Sequence, residues 1–363
     1  MQVLFYVSGH GYGHATRTSE ILRSLVALRP DCTVHVRSNV PPHLFAGIER
    51  VRYHASHHSL DPGVVEEGDS LGVDVPATLN AVERYFRWRQ QHIAEEVHWI
   101  AEHNIGLIVA DFPPLAGEVA AACGLPSIGI GNFTWDWIYE PLVERAQHQH
   151  LLAWIREGYT KLHTWLRMPF SHADEHDLFR RIVDVPLVAR RARREPEEVC
   201  ERLGLARADG RRRAVLAMRG RIPPAARAAA AEANPDWLFL HFDDASAAPR
   251  ANELAVTLTP DLLFTDVLSV CDVAVSKFGY GMVSECIAAR KRLLCPPRRQ
   301  FREDEVFARD APKHLRLAPI SRDDLLAGHW SDQLRWLADQ PTVEPGLVID
   351  GAEVCAREIA TLL

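Results

Sequence analysis

The sequence has no CxxC pair and no cysteine–histidine spacing of the zinc-binding kind. Its seven cysteines, at 32, 123, 200, 271, 286, 295 and 355, are scattered and mostly flanked by apolar residues. That excludes a disulfide scaffold and predicts buried thiols in a reducing compartment. No apolar stretch reaches the ~18–20 residues that a bilayer span needs. The opening MQVLFYVSGHGYGH lacks the basic segment of a signal peptide. Together these predict a soluble, cytoplasmic protein. Positive charge is not in excess: 41 Lys and Arg against 48 Asp and Glu leave a net −7, which argues against a general nucleic-acid binder. Neither GxGxxG nor GxxxxGK(S/T) occurs, so the dinucleotide fingerprint and the P-loop are both missing.

What is present is a strand–helix rhythm. Val3 to Val7 is a short apolar run that breaks at Ser8-Gly9. Ala15 to Leu28 carries apolar residues at helical spacing, and Thr33 to Arg37 is a second strand. This is a βαβ unit. Strands at 106–110 and 127–130 follow, separated by helices at 76–103 and 115–123, and the alternation continues to about residue 168. The polar, proline-flanked stretch 169–186 reads as a crossover. A second series then begins, with strands at 213–218, 237–242, 254–258, 273–276 and 292–295. Helices are expected at 225–233, 267–271 and 282–289, with a terminal one over 353–363. The 363 residues suit two domains of about 150–180 residues each. In such doubly wound sheets ligands bind at the carboxyl ends of the strands, so a cleft between the halves is the expected site.

Several motifs could carry chemistry there. Gly9-His10-Gly11-Tyr12-Gly13-His14-Ala15-Thr16-Arg17 joins the first strand to its helix. Its glycines admit a ligand close to the backbone, and the helix start presents free N–H groups to a phosphate or alkoxide. Asp111 ends a strand, where it can orient and polarise a histidine or simply cap a helix. Asn132-Phe133-Thr134-Trp135-Asp136-Trp137 offers aromatic faces with polar edges, as a sugar needs, or an aromatic core corner. In the second half, Lys277-Phe278-Gly279-Tyr280-Gly281 is a turn whose amides can take a pyrophosphate. Glu285, early in the next helix, can accept hydrogen bonds from ribose hydroxyls, or can serve the helix dipole. Arg219-Gly220 places a cation where a diphosphate would lie. The acids of Phe301 to Glu305 can read sugar hydroxyls or form a solvated turn. Other histidines, including His57-His58 and His148 and His150, show no ligand spacing, and no metal is assigned.

SGHGYGHATR, the DFPP turn, GNFTWDWIYE, VPLVARRARREPEEVCERLGL and SKFGYGMVSECIA together resemble the glycosyltransferase-like N-terminal half of L-arabinokinases, over roughly residues 1–320. The first Gly-rich loop and the region of Glu285 also resemble, more distantly, nucleotide-sugar transferases of GT-B fold, including the N-acetylglucosaminyltransferase that makes lipid II. The resemblance implies an α/β GT-B fold, two Rossmann-like parallel-sheet domains facing a central cleft. Its boundaries would be an acceptor domain at 1–168, a crossover at 169–186, a nucleotide-sugar domain at 187–345, and a terminal helix at 346–363 that can return to the first domain. It implies acceptor contacts by Gly9, His10, Gly11, Tyr12, Gly13, Arg17, Asn132, Thr134, Trp135 and Asp136. His14 stands where the family loop closes on its candidate base, with Asp111 assisting and His10 as the alternative base. Arg219, Gly220, Lys277, Gly279, Tyr280 and Gly281 would meet the diphosphate, Glu285 the ribose, and Asp304 and Glu305 the donor sugar. Backbone groups at Leu262 and Leu263 would read a uracil-type base.

The function expected is an inverting, metal-independent glycosyltransferase. It would take a sugar from a nucleoside-diphosphate sugar, a UDP-sugar, to a small-molecule acceptor. The UDP-sugar is a co-substrate, and no cofactor is expected. A non-hydrolysing UDP-sugar 2-epimerase, an NADP-dependent Rossmann enzyme and a non-catalytic sugar-nucleotide sensor are the competing readings. The absent phosphate loop means that sugar kinase activity is not implied. The sequence sets neither the acceptor nor an oligomeric state.

Overall fold

The computed structural model describes residues 1–56, 59–172, 178–205, 210–243 and 251–363, with backbone alone at 145–146. His57 and His58 lie outside the described residues. In the first half the order is β1 (Gln2–Val7), α1 (Gly13–Leu28), β2 (Thr33–Ser38), β3 (Val51–Ala55), α2 (Val75–Glu102), β4 (Leu107–Asp111), α3 (Leu115–Cys123), β5 (Ser127–Gly131), α4 (Trp135–Tyr139), α5 (Arg145–Thr160), β6 (Thr164–Arg167) and β7 (Ile182–Asp184). The second half runs α6 (Pro196–Arg202), β8 (Arg212–Leu216), α7 (Pro224–Ala233), β9 (Trp237–His241), β10 (Glu253–Ala255), α8 (Phe264–Ser269), β11 (Val273–Val275), α9 (Tyr280–Ala288), β12 (Arg292–Cys295), α10 (Glu303–Asp310), β13 (Leu317–Pro319), α11 (Arg322–Ala327), α12 (Ser331–Asp339) and α13 (Gly351–Ala360).

The strands form two parallel sheets, ordered β3-β2-β1-β4-β5-β6-β7 and β10-β9-β8-β11-β12-β13. Helices cover both faces of the central strands: β4 and β5 are buried at every position. One apolar core fills the first half and one side of the second sheet, and a second core fills the other side. The edge strand β7 falls inside 169–186, so the stretch read from sequence as pure crossover extends the first sheet. The weak strand expected at 254–258 stops at Ala255, because the chain turns back through a bridge between Thr259 and Leu262. The terminal α13 lies on α1, burying Ala352, Cys355, Ala356 and Ile359. Among the described residues no helix is long and apolar enough to cross a membrane.

Strand order positions the site. In each sheet the direction of winding reverses between two adjacent strands, β1/β4 in the first and β8/β11 in the second. The loops leaving such a pair diverge and open a crevice at the carboxyl end. Val7 sits beside Asp111 in register, so the GHGYGH loop and Asp111 flank the first crevice. Arg219-Gly220 and Lys277 to Gly281 flank the second.

Candidate active site

The site is built outward from Asp111, which is fully buried. Its carboxylate accepts from His14 Nδ1 at 2.8 Å, Arg17 Nε at 2.8 Å, Arg17 Nη2 at 2.5 Å and Thr18 Oγ1 at 2.7 Å. Residues 14, 17 and 18 share the first turns of α1, and Asp111 ends the neighbouring strand. Burial alone would raise the Asp111 carboxyl, but the Arg17 guanidinium, its hydrogen bonds, and then His14 hold it well below the usual carboxylate range. Two groups compete for His14 Nδ1: the Asp111 carboxylate, which only accepts, at 2.8 Å, and Arg17 Nη2, which only donates, at 3.0 Å. The shorter contact to Asp111 favours the hydrogen on Nδ1 and the lone pair on Nε2. That tautomer suits proton abstraction by Nε2. Gly11, at φ 72°, makes the left-handed turn that starts α1.

Arg17 extends the cluster across the cleft. Its Nη1 donates to Asn132 Oδ1 at 3.0 Å, and Asn132 Nδ2 donates to Glu303 Oε1 at 2.8 Å. Glu303 and Asp304 both bind Arg298: Nη2 reaches Glu303 Oε2 at 3.1 Å, and Nε reaches Asp304 Oδ1 at 2.9 Å. One polar chain thus runs from His14 in the first domain to Asp304 in the second. Burial raises the Asp304 carboxyl, with Arg298 opposing.

The two Gly-rich loops face each other. A methyl built on Gly281 would come 3.5 Å from Thr16 Oγ1 and 3.7 Å from the Gly13 Cα. Arg17 lies over the Tyr280 ring, 5.2 Å from its centre. Neither α1 nor α9 has a side-chain cap at its start. Two helix N-termini, one from each domain, therefore present their amides and dipole ends to the same cleft. Gly9, Tyr12 and Gly13 lie on the same loop, with Tyr12 exposed. His10 is half-buried between Trp135, at 5.5 Å edge-on, and Phe301, at 6.4 Å stacked. Desolvation, then His14, lowers its imidazole to about 3, so it is neutral at ordinary pH.

Other expected residues are placed differently. Trp135 is buried, its Nε1 bonded to Asp61, and Asp136 is buried and held by Arg156. Thr134 donates its N–H to His172. That segment is an aromatic core corner, and Asn132 alone of it joins the polar chain. In the second domain Arg219 is exposed and Gly220 donates to Asp243 at 2.7 Å. Lys277 is ion-paired with Glu66 of the first domain, and Glu285 with Arg190 at 2.6 Å. Glu305 is exposed, and Glu303 is the acid that points inward.

The backbone N–H groups of Leu262 and Leu263, the expected base-reading segment, are already bonded within the chain. Leu262 and Thr259 exchange both backbone bonds, and the Leu263 N–H is taken by Asp266 as it caps α8. No N–H is left there for a base. Asp61, Arg190 and Arg298 are not singled out by the sequence, and Glu303 only as one of the acids of 301–305. Asp61 meets Trp135, Arg190 meets Glu285 and Glu303 meets Asn132 across 74, 95 and 171 positions, and only the contacts of Arg298 with Glu303 and Asp304 are local.

No family model matches the chain. It is 32% identical over 362 residues to an L-arabinokinase of Arabidopsis thaliana, with 97% of this chain aligned. The chain spans about a third of that relative's length, 33%. Among solved structures it is similar to the glycosyltransferase VinC in complex with DTDP, with TM-score 0.60, 18% identity, and 100% of this chain and 95% of that one covered. It is also similar to UGT89C1 of Arabidopsis thaliana complexed with UDP, with TM-score 0.63, 15% identity and 99% of both chains covered. UGT2 of Phytolacca americana, complexed with UDP-2fluoro-glucose and pterostilbene, gives TM-score 0.63 at 13% identity, covering 99% and 94%. At these identities the structures speak to fold: this chain has the GT-B fold, and the resemblance to the glycosyltransferase-like part of an arabinokinase holds.

Proposed function

We propose that this GT-B chain transfers a sugar from a nucleoside-diphosphate sugar, a UDP-sugar, to a hydroxyl of a small acceptor with inversion. The observation that carries the proposal is the His14–Asp111 pair lying beside two opposed, uncapped helix N-termini. His14 Nε2 takes the acceptor proton while the acceptor oxygen attacks the anomeric carbon. The bond from that carbon to the diphosphate breaks in line, and its electron pair leaves with the diphosphate. Amides at the start of α9 stabilise the departing charge, with no metal required. The bound UDP, UDP-sugar and DTDP of the structural neighbours support a nucleotide-sugar donor. Arg17, held in place by Asp111 and Asn132, keeps Asp111 ionised so that it stabilises the imidazolium formed on His14. The reading does not extend to the kinase reaction of the arabinokinase relative.

The test is UDP release from UDP-sugars with and without a panel of hydroxyl acceptors, alongside UDP binding by calorimetry. Acceptor-dependent release that survives EDTA is expected. Conversion of the UDP-sugar to its 2-epimer without net UDP release would identify an epimerase, and tight UDP binding without either reaction would identify a sensor.

A further inference from the structure

The sequence assigns no metal to this chain, yet its fold gathers three imidazoles away from the cleft. His35 on β2, His54 on β3 and His103 at the end of α2 converge beneath Trp99. One nitrogen from each lies within 4.8 Å of the other two. None of the three is bonded to the His14–Asp111 cluster. Their spacing in sequence, 19 and 49 residues apart, matches no motif; β2–β3 pairing and the packing of α2 bring them together.

The hydrogen bonds around them fix which nitrogens face inward. His35 Nε2 is 2.8 Å from Gln2 Oε1, and His103 Nδ1 is 2.8 Å from the Trp99 carbonyl oxygen. Both partners are acceptors, so both histidine nitrogens carry hydrogen there. His35 Nδ1 and His103 Nε2 then keep their lone pairs. Outer hydrogen bonds of this kind orient metal-ligating histidines and set their tautomers. His35 Nδ1 is 3.0 Å from His54 Nε2. The His35 and His54 rings are parallel within 9°, and His103 stands at about 80° to both. Tetrahedral zinc with bonds of about 2.0–2.1 Å separates its ligand nitrogens by ~3.3 Å. The three nitrogens, all within 4.8 Å of one another, close to that spacing as the ion replaces the hydrogen that His54 Nε2 shares with His35 Nδ1.

The charged surroundings permit an ion. Arg37 lies over Trp99, but Glu96 accepts from its Nη2 at 2.5 Å. Arg52 on β3 is exposed to solvent. His35 is buried while His54 and His103 are half-buried, which leaves one side open to water.

We propose that His35 Nδ1, His54 Nε2 and His103 Nε2 bind one divalent transition-metal ion of the zinc class, with water in the fourth position. Imidazole ligands suit such ions, whereas Mg²⁺ and Ca²⁺ favour oxygen. The ion would tie the edge of the first sheet to the end of α2.

The experiment uses the whole chain without a histidine tag, stripped by chelator and titrated with Co²⁺ under visible absorption. One Co²⁺ per chain with ligand-field bands is expected, displaced by equimolar Zn²⁺, and Zn²⁺ should raise the thermal midpoint. His54→Ala and His103→Ala should each weaken Zn²⁺ binding by at least about a hundredfold. Gln2→Ala should weaken it by about 10–100-fold through the tautomer of His35. His329→Ala, at an exposed histidine elsewhere, should leave it unchanged. Absence of stoichiometric Co²⁺ binding by the wild-type chain overturns the proposal. So does full binding retained by a folded His54→Ala/His103→Ala double variant, and Gln2→Ala reads the site should that double variant not fold.

Discussion

The two domains hold the charged residues beside their Gly-rich loops differently. In the first, Asp111 and Arg17 are buried, with side chains 0% and 4% exposed, and His14 is held between them. In the second, Arg298 and Asp304 are also buried, at 8% and 6%, but the pairs beside the Gly-rich loop are looser: Lys277 and Glu66 are 27% and 29% exposed, and Arg190, which holds the buried Glu285, is 22% exposed. Half-exposed pairs are worth about 0–1 kcal/mol and can exchange partners, whereas breaking a buried pair costs about 3–5 kcal/mol. The contrast fits a division of labour in which one domain holds the reacting base rigid and the other exchanges its internal ion pairs for a ligand. Lys277 fits this picture: desolvation lowers its ammonium, and the Glu66 carboxylate works against that shift.

The sharpest way to break the comparison is at the rigid side. His14→Ala should lower turnover by about 10²–10⁴-fold with UDP affinity unchanged, read by single-turnover kinetics and calorimetry. A retained rate would move the base to His10. Asp111→Asn should remove a comparable share of the rate and also cost about 3–5 kcal/mol of stability by stranding Arg17, read by denaturant unfolding. Because the Asp111 carboxyl is lowered on folding, its contribution is fully present above about pH 4. It is lost as pH falls through the folded value, so wild type and variant should converge only in strong acid.

On the exchangeable side the effects should be smaller. Glu285→Ala should weaken UDP binding by about 10–100-fold if its carboxylate leaves Arg190 for the ribose. The loss should be less for a 2′,3′-dideoxy nucleotide. Equal loss for both would make Glu285 a fixed partner of Arg190, and the two domains would then be alike. The smallest change is expected from Glu66→Gln, which frees Lys277 without touching the second domain. UDP affinity should rise by no more than about fivefold, and the gain should shrink in high salt. Weaker binding would show that Glu66 helps assemble the site.

Local sequence pattern carried much of the architecture. The apolar runs at 3–7, 127–130 and 292–295 became strands within a residue or so of the expected ends, and 115–123 became a helix. Short strands were harder. β7 and β13 have three residues each and owe their pairing to a neighbour rather than to their own composition. The pairing of His14 with Asp111 was legible because each follows or ends a strand with a Gly- or Pro-rich exit. The misplaced aromatic segment has the opposite lesson. A Trp beside Asp reads equally as a sugar platform or as a core corner, and the position of Asp61 and Arg156 decides between them.

By itself, then, the sequence determined the alternation of strand and helix, the Gly-rich exits and the acidic, cysteine-scattered composition. Those depend on residues within a few positions of one another, through side-chain periodicity and turn chemistry. Only the tertiary structure decided which polar groups meet. Arg17 reaches Asn132 across 115 positions, Asn132 reaches Glu303 across 171, and Lys277 reaches Glu66 across 211. The His35, His54 and His103 cluster is of the same kind. Such contacts follow from strand order and from how the two domains abut. Buried polar groups must find partners wherever the fold brings them, and local spacing carries no record of which partner that is.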